Sequence, residues 1–398
     1  MKLKFAKRMS YIKASEIREI LKVTEREDVI SFAGGLPAPE LFPIDEINKM
    51  NQVVLQEAGA KALQYTTTEG YYPLREWIAK RMNDRLGTSF DKDNILITHG
   101  SQQGLDLSGK VFLDDGDIVL CESPTYLAAI SAFKSYGSSF IEIPTDEEGM
   151  DMATLEEVLN NTQNIKLIYV IPTFQNPTGK TWSLERRKKL AELSALYDIP
   201  VIEDNPYGEL RFEGESLPSI KSFDKVGNIL CTGSFSKIFC PGFRIGWIAG
   251  DKDIIRKYVL VKQGTDLQCN TIAQMTIAEY LKRYDIDEHI SKIVEVYRKR
   301  RDIALECIER YFPNDIKYTH PQGGLFTWIE LPENISARDI LQKCIEQKIA
   351  FVPGGSFYPV EHKENTFRIN YSNMPEDRIM KGLQVIGEVL KEYIHQLK

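Results

Sequence analysis

One stretch of the chain places a lysine among small hydroxyl residues, in the run Ser234-Phe235-Ser236-Lys237, and Arg244 follows it. A lysine partly removed from water loses its proton more easily, and its neutral amine can form an imine with an aldehyde. The two serines and the arginine could hold a phosphate on the same ligand. Read alone, the run could also hold an ordinary surface lysine and a structural arginine. The chemistry it predicts is a lysine nucleophile beside a phosphate site.

Two further polar segments follow apolar runs that read as strands. The run Pro200–Glu203 leads directly into Asp204, with Tyr207 close behind, and Asn176 follows the run Ile165–Ile171. A buried carboxylate is costly unless it meets a cation, and a protonated pyridine nitrogen is such a cation. Tyr207 and the amide of Asn176 could hydrogen-bond an oxygen on the same ring. The alternatives are a capping aspartate and a plain Asn-Pro-Thr-Gly turn.

Ser101 and Gln102 open a predicted helix directly after the run Asn94–Thr98. Backbone N–H groups at such a helix start can bind phosphate, although Ser101 could also serve only as an N-cap. Tyr126 follows the run Asp117–Cys121 and could stack on a flat ring, or be a buried structural tyrosine. In open α/β sheets ligands bind at the carboxyl ends of the strands. We therefore expect these side chains to lie together.

The elements that must position these residues alternate between short apolar runs and helix-period segments. This pattern predicts an α/β fold with a mostly parallel sheet covered on both faces. Asp285–Phe312 repeats apolar residues at helical spacing without Gly or Pro, so it predicts a long helix that enters a second, smaller α+β domain. We expect a large domain over residues 45–284 and a small domain formed by residues 1–44 and 285–398.

Composition excludes several classes of protein. The chain has 398 residues, a formal net charge of −7 and a pI near 5.5, which argues against a nucleic-acid coat protein. It contains no apolar run near the roughly 18 residues that span a membrane, and its start carries no apolar signal segment. The six cysteines show no metal or redox spacing and are typical of a cytoplasmic protein. We expect neither membrane, nucleic-acid nor metal partners.

The segments also form an ordered series of motifs. They read Tyr-x4-Gly from Tyr65, Asn-Pro-Thr-Gly from Asn176, Asp-x-x-Tyr from Asp204, Ser-x-Ser-Lys from Ser234 and Arg-x-Gly from Arg244. This series resembles the fold-type-I pyridoxal-phosphate aminotransferases of class I/II, and the similarity extends from Ser31 to Tyr371. The resemblance implies pyridoxal 5'-phosphate as cofactor. It also implies a large domain with a mostly parallel sheet of the seven-stranded type between helices, plus a smaller α+β domain.

The resemblance assigns cofactor roles by motif position. Lys237 would be the Schiff-base lysine and then move the proton, Asp204 would face the pyridine nitrogen, and Tyr126 would stack on the ring. Tyr207 and Asn176 would hold the ring's phenolate oxygen. The phosphate would be bound by Ser101, Gln102, Ser234, Ser236 and Arg244.

It also assigns substrate and subunit contacts. Arg368 would bind the substrate's α-carboxylate, assisted by Asn176, because an arginine fork holds both oxygens at once. Tyr65 matches the tyrosine that reaches the partner subunit's phosphate, which implies a homodimer with shared active sites.

Within this superfamily the chain is most similar to the 2-aminoadipate/aromatic branch, on the runs Ala14–Leu21 and Ser31–Pro43. In that branch the N-terminal helix lies over the site. Ser15, Gly35 and Arg18 would then contact the substrate side chain, with Arg18 binding a distal carboxylate. The alternative for Arg18 is a solvated helix arginine.

The resulting hypothesis is a cytoplasmic transaminase. It would move the amino group of an L-amino acid (2-aminoadipate, aromatic or aliphatic) to a 2-oxo acid, 2-oxoglutarate first among the candidates, by a ping-pong mechanism. The same electron sink would support a β-lyase or a decarboxylase, which the sequence distinguishes poorly. A regulator of the MocR type would need added N-terminal residues with a helix-turn-helix pattern, whereas here the aminotransferase match begins within the first 20 residues and the net charge is acidic.

Overall fold

A computed structural model describes residues 3–12, 28–361 and 363–397 of the chain. In this part of the chain the strands are β1 (Ile30–Ser31), β2 (Ile95–Thr98), β3 (Ile118–Ser123), β4 (Ser139–Asp146), β5 (Gly149–Met150), β6 (Ile165–Val170), β7 (Val201–Asp204), β8 (Ile229–Ser234), β9 (Gly246–Ala249), β10 (Lys317–Tyr318), β11 (Phe326–Glu330), β12 (Ile349–Ala350), β13 (Val352–Pro353) and β14 (Thr366–Asn370). The four apolar runs named in the sequence analysis lie at β2, β3, β6 and β7.

The main sheet has eight strands in the order β2-β9-β8-β7-β6-β3-β4-β5. Its centre, from β8 to β4, is parallel, and β9 runs antiparallel to both β2 and β8. The predicted α/β class is confirmed. The strand beyond the expected seven-stranded type is β5, a two-residue strand that folds back antiparallel on β4 at the sheet edge.

The strands carry apolar residues on both faces because both faces are covered. In β2, Ile95 and Ile97 enter one apolar cluster while Leu96, between them, enters another on the opposite face. This is the burial expected of a strand whose sheet is covered on both faces. It fixes the register of the sheet, since a shift by one residue would exchange the two faces.

The helices of the described residues lie between and beyond these strands. They are α1 (Ile44–Ala62), α2 (Tyr72–Leu86), α3 (Gly100–Phe112), α4 (Leu127–Lys134), α5 (Met152–Asn161), α6 (Leu184–Tyr197), α7 (Lys252–Gln263), α8 (Thr271–Arg283), α9 (Ile286–Tyr311), α10 (Ala337–Glu346) and α11 (Glu376–Leu397). Helix α9 is the long helix predicted from the sequence, and the Asp285 side chain caps its first turn. No helix in the described part of the chain has the length and hydropathy needed to cross a membrane.

The C-terminal third forms a second sheet, antiparallel, in the order β10-β11-β14-β13. Strand β1 pairs in parallel with β12, through Ile30 with Ile349 and Ser31 with Ala350. The chain preceding the main sheet therefore packs on the C-terminal region, which places Ala33 and Gly35 beside the carboxyl ends of the main strands. The domain limits at residues 45 and 285 stay a prediction.

Candidate active site

A cavity of about 270 Å³ lies at the carboxyl ends of β7 and β8. It is lined by Gly35, Ser101, Gln102, Tyr126, Leu127, Ile171, Asn176, Asp204, Pro206, Tyr207, Ser234, Ser236, Lys237, Arg244 and Arg368. The structure thus brings together every predicted site residue except three. Tyr65 lies outside the cavity, and Ser15 and Arg18 lie outside the described residues.

Lys237 follows β8, and its amine faces the cavity. Burial lowers the pKa of this amine to about 8, and the positive charges of Arg368 and Arg244 act in the same direction. Its Nζ atom donates a hydrogen bond to the backbone carbonyl of Gly35 at 2.6 Å. A substantial fraction of the amine is therefore neutral near physiological pH, as a nucleophilic lysine requires.

Asp204 is the last residue of β7 and is only 2% exposed. Its carboxylate accepts hydrogen bonds from Tyr169 Oη at 2.8 Å and from Thr232 Oγ1. Burial raises the pKa of Asp204, and both hydroxyl contacts oppose that rise. Because these partners are neutral, a ring cation in the cavity would supply the charge that a buried carboxylate needs.

Tyr169 and Thr232 are site residues that the sequence reasoning missed. Each lies inside an apolar strand, where a single polar group is easily read as part of the core. Thr232 pairs directly with Asp204 in the parallel register of β7 and β8. The one indication in the sequence was a hydroxyl-bearing side chain within an otherwise apolar run, because a buried hydroxyl needs a hydrogen-bond partner.

Arg368, Asn176 and Tyr207 form a hydrogen-bonded row. Arg368 Nη1 donates to Asn176 Oδ1 at 2.7 Å, Arg368 Nη2 donates to the carbonyl of Ala33 at 2.6 Å, and Asn176 Nδ2 donates to Tyr207 Oη at 3.2 Å. The guanidinium carbon of Arg368 lies 4.1 Å from the ring centre of Phe326. Aromatic stacking fixes the plane of the arginine fork, as bidentate carboxylate binding requires.

Arg368 has no anionic partner among the described residues. Burial lowers the pKa of its guanidinium to about 10, and its Nε atom is buried without a hydrogen-bond partner among the described residues. A buried guanidinium with an unused donor is a site that fits a carboxylate. Burial also raises the pKa of the neighbouring Tyr207 phenol, so Tyr207 stays protonated and able to donate.

The opposite end of the cavity is built from the start of α3 and the segment after β8. Ser101 and Gln102 lie in the first turn of α3, and Ser234 Oγ lies 2.8 Å from Ser236 Oγ. Gly100 has a φ of +70°, and a Cβ added there would lie 2.5 Å from an Nη atom of Arg244. Glycine is required so that the arginine can pass over the helix start. Hydroxyls, amides and a guanidinium make a donor set suited to phosphate.

The remaining predicted residues differ in their placement. Tyr126 precedes α4 and borders the cavity, and burial raises the pKa of its phenol to about 12. Gly35 lies against Phe326, whose ring would be 3.2 Å from an added Cβ. Tyr65 is 79% exposed, so within one chain it serves no site.

A larger cavity of about 630 Å³ lies next to the first and shares Pro206 and Ser234 with it. Its charged residues largely neutralise one another: Arg81 forms ion pairs with both Glu209 and Asp287. Neither Lys237 nor Asp204 lines it. We therefore place the chemistry in the smaller cavity.

A lysine of lowered pKa and a buried aspartate in one cavity, on a mostly parallel sheet with a phosphate-type donor set, fit a pyridoxal-phosphate enzyme of fold type I. Residues 27–386 match the family model for aminotransferase class I and II, and the chain belongs to this family. The predictions of the family, of a transaminase and of pyridoxal phosphate as cofactor are confirmed.

Relatives match almost end to end. The chain is 46% identical to aromatic-amino-acid aminotransferase 1 of Thermococcus litoralis, covering 98% of this chain and 94% of the relative. It is 41% identical to 2-aminoadipate transaminase of Thermus thermophilus, covering 97% and 96%. The crystal structure of Pyrococcus horikoshii kynurenine aminotransferase in complex with PMP, kynurenine and its product superimposes with a TM-score of 0.94 at 45% identity, covering 98% of this chain and 97% of that one.

The residues of this chain fit the cofactor. Asp204 offers a buried carboxylate whose only hydrogen-bond partners in the described residues are hydroxyls. The Gly100 turn leaves space that a side chain would fill, and Arg244 crosses it. Asp204 would hold the ring nitrogen, and the start of α3 with Arg244 would hold the phosphate.

Proposed function

We propose that the protein transfers the amino group of an aromatic, long aliphatic or 2-aminoadipate-type L-amino acid to 2-oxoglutarate, by a ping-pong mechanism, as a cytoplasmic homodimer. The observation that carries the proposal is the meeting of Lys237 and Arg368 in one cavity with Asp204. Bound there, pyridoxal phosphate supplies an aldehyde for amine exchange and a cationic ring that accepts electron density from the substrate.

Arg368 orients the substrate. Its fork binds both oxygens of the α-carboxylate that every amino acid and oxo acid carries. Asn176 holds the arginine through Oδ1 and Tyr207 through Nδ2, so one amide aligns the groups that face the substrate and the ring. Fixing the carboxylate fixes the direction of the Cα–H bond, which decides which bond at Cα breaks.

Lys237 moves the proton. Once the substrate amine has displaced Lys237, the neutral amine of the lysine can take the proton from Cα of the substrate and deliver it to the cofactor carbon C4′. Its lowered pKa of about 8, caused first by burial, keeps the amine close to the pH at which it must act as a base. Asp204 keeps the ring nitrogen protonated, and the hydrogen bonds from Tyr169 and Thr232 favour its ionised form.

The substrate range rests on the named relatives, which act on aromatic amino acids, 2-aminoadipate and kynurenine according to their names. Gly35 supports a side-chain pocket, because its lack of a side chain leaves room in front of Phe326. Ser15 and Arg18 would complete this pocket, with Arg18 binding the distal carboxylate of glutamate or 2-aminoadipate.

The homodimer rests on Tyr65. Its side chain is 79% exposed and Leu63 beside it is 72% exposed, an apolar pair that a second subunit would cover. We propose that Tyr65 contacts the phosphate in the partner subunit. Mixing Lys237→Ala subunits with Tyr65→Phe subunits should then restore part of the activity, since one site of each hybrid is intact. An active monomer in sedimentation experiments would exclude a shared site.

The half-reaction tests the proposed activity. Each candidate amino acid is added to the loaded protein without an oxo acid, and conversion of the cofactor to its amine form is followed by absorbance. We expect release of the matching 2-oxo acid and recovery of the aldehyde form on adding 2-oxoglutarate, with Lys237→Ala inactive. Ammonia and pyruvate from cysteine, or carbon dioxide, without amino transfer would instead indicate a lyase or decarboxylase.

A further inference from the structure

Lys262 is a buried lysine that the proposed chemistry does not use. It lies in the last turn of α7, and its side chain is 0% exposed. Its Nζ atom donates to both carboxylate oxygens of Asp266, at 2.7 and 2.8 Å, and to Gln103 Oε1 at 3.0 Å. A charged amine is costly to bury unless its three N–H donors find partners, and here two face the carboxylate and Gln103 takes the third. The added contact to Gln103 leads toward the active site.

Gln103 lies in the first turns of α3, and both ends of its amide are held. Its Oε1 accepts hydrogen bonds from Lys262 and from the backbone N–H of His99 at 2.9 Å. Its Nε2 donates to Asp266 Oδ2 at 2.5 Å. The side chain of Gln103 therefore connects the backbone of His99, just before α3, to Lys262 at the end of α7. This connection restricts the turn at His99 and Gly100.

That turn carries the phosphate end of the site. The carbonyl of His99 accepts a hydrogen bond from Arg244 at 3.3 Å, and Ser101 and Gln102 follow at once in the helix. A rotation of the turn would move the arginine and the helix-start N–H groups together. The position of the phosphate donors thus depends on Gln103, and through it on Lys262.

The same lysine also closes the turn that leads to the Tyr65 segment. The carbonyl of Lys262 accepts from the N–H groups of Thr265 and Asp266 at 2.9 and 3.0 Å. Gln268 then donates its N–H to the carbonyl of Asp266 at 2.7 Å, while its side chain accepts from the N–H of Thr66, next to Tyr65. One hydrogen-bonded unit therefore holds this chain's phosphate turn and the segment proposed to reach the partner's phosphate.

We propose that Lys262, with Asp266 and Gln103, is a positioning unit for the cofactor phosphate. None of the three residues lines the smaller cavity, and the unit acts by holding the His99–Gly100 turn in place. The proposal rests on the proposed cofactor role of the cavity. It predicts that loss of the lysine weakens binding of the phosphate group and leaves binding of the ring unchanged.

Two ligands separate these contributions. Cofactor-free protein is titrated with pyridoxal phosphate and with pyridoxal, which carries the same ring and aldehyde but no phosphate. For Lys262→Met we expect the affinity for pyridoxal phosphate to fall roughly tenfold to a hundredfold, the size of a charge-assisted hydrogen bond, and the affinity for pyridoxal to stay unchanged.

Lys221→Met is the matched control. Lys221 forms an ion pair of the same kind with Asp224 at 2.7 Å, with side chains 12% and 2% exposed, and lines neither cavity. It should change the affinity for neither ligand. Gln103→Met removes the connection but retains the Lys262–Asp266 pair, so it should reproduce the phosphate-selective loss even where Lys262→Met fails to fold.

Three outcomes would overturn the proposal: an equal loss for both ligands, no loss for pyridoxal phosphate in a folded Lys262→Met protein, or no loss in Gln103→Met. Failure of the proposed cofactor role of the cavity, on which the proposal rests, looks different, because the unaltered protein would then form no covalent link between Lys237 and either aldehyde. Borohydride reduction and peptide mapping of the unaltered protein detect that case directly.

Discussion

The two ends of the candidate site are built in different ways. At the amine end, Lys237, Asp204 and Arg368 line the smaller cavity, and burial is the largest cause of the pKa shift of each. At the phosphate end Arg244 is exposed, and the donors are placed by a glycine turn and a helix start. Burial makes the amine end reactive, whereas backbone geometry makes the phosphate end selective.

This difference teaches where each end is vulnerable. Substitutions at the amine end remove a charge that little else in the cavity can replace, so their effects on turnover should be large. Substitutions at the phosphate end remove one donor of several and should mainly change affinity. The following predictions examine the amine end in order of decreasing expected effect.

The largest effect is expected for Lys237→Ala. A positioned proton carrier contributes about 10²–10⁴-fold to the rate, and this lysine is also the proposed covalent attachment point. Turnover should be lost almost completely, while the cofactor stays bound without a covalent link. The measurement is kcat together with cofactor retention on gel filtration. Lys188→Ala, a half-exposed lysine paired with Glu185 on α6, is the control. Borohydride labelling of another lysine would contradict the assignment.

Asp204→Asn should come second. Without the carboxylate the ring nitrogen loses the partner that keeps it protonated, and removal of such a fixed electrostatic group costs about 10²–10³-fold in rate. The adjacent Glu203 is a matched control, because its carboxylate is equally buried but is bound by Ser219 and backbone N–H groups away from the cavity.

We expect Glu203→Gln to lower thermal stability more than kcat, and Asp204→Asn to do the reverse. The comparison needs kcat and the melting temperature of both variants. Normal transamination by a folded Asp204→Asn protein would exclude the proposed role.

Arg368→Ala and Arg18→Ala should differ in their substrate dependence. A buried charged hydrogen bond is worth about 1.5–3 kcal/mol, or roughly 10- to 200-fold in kcat/KM. Loss of Arg368 should lower kcat/KM for glutamate and for phenylalanine alike, since both carry the α-carboxylate. Loss of Arg18 should lower kcat/KM for glutamate and 2-aminoadipate and leave kcat/KM for phenylalanine unchanged. Equal losses on glutamate and phenylalanine in Arg18→Ala would return this residue to a structural role.

Tyr169→Phe should have a moderate effect of about tenfold on kcat. Its hydroxyl stabilises the ionised form of Asp204, so its loss raises the pKa of that carboxyl further and favours the neutral acid. Tyr258→Phe is the control, because Tyr258 is just as buried but donates to the neutral Ser108 at 2.8 Å. Equal effects of the two substitutions would show that only packing was lost.

The sequence predicted most of this site for a simple physical reason. Parallel strands end at one edge of a sheet, so polar residues that follow successive apolar runs must converge there. Asp204, Asn176, Lys237 and Tyr126 were found in this way.

What could not be predicted depends on register and on side-chain reach. Tyr169 and Thr232 reach Asp204 only because neighbouring strands align at particular residues. Lys262 meets Gln103 across 159 positions of the chain, a contact that no local pattern contains. The edge strand β5 has only two residues, too few to show an alternating pattern.

The smallest predicted effect concerns the pH dependence of cofactor attachment. Burial lowers the pKa of Lys237 to about 8, so its reactive neutral form makes up about a tenth of the protein at pH 7 and about half at pH 8. The rate at which cofactor-free protein couples to pyridoxal phosphate should therefore rise about fivefold over this interval and level off above pH 9. Stopped-flow absorbance measures this rate. An exposed lysine, with a pKa near 10.4, would instead give a tenfold rise per pH unit that continues past pH 9. Arg368→Met sharpens the test: with one nearby positive charge removed, the midpoint should move to higher pH. A midpoint that stays in place would exclude Arg368 as a cause of the shift and leave burial and Arg244.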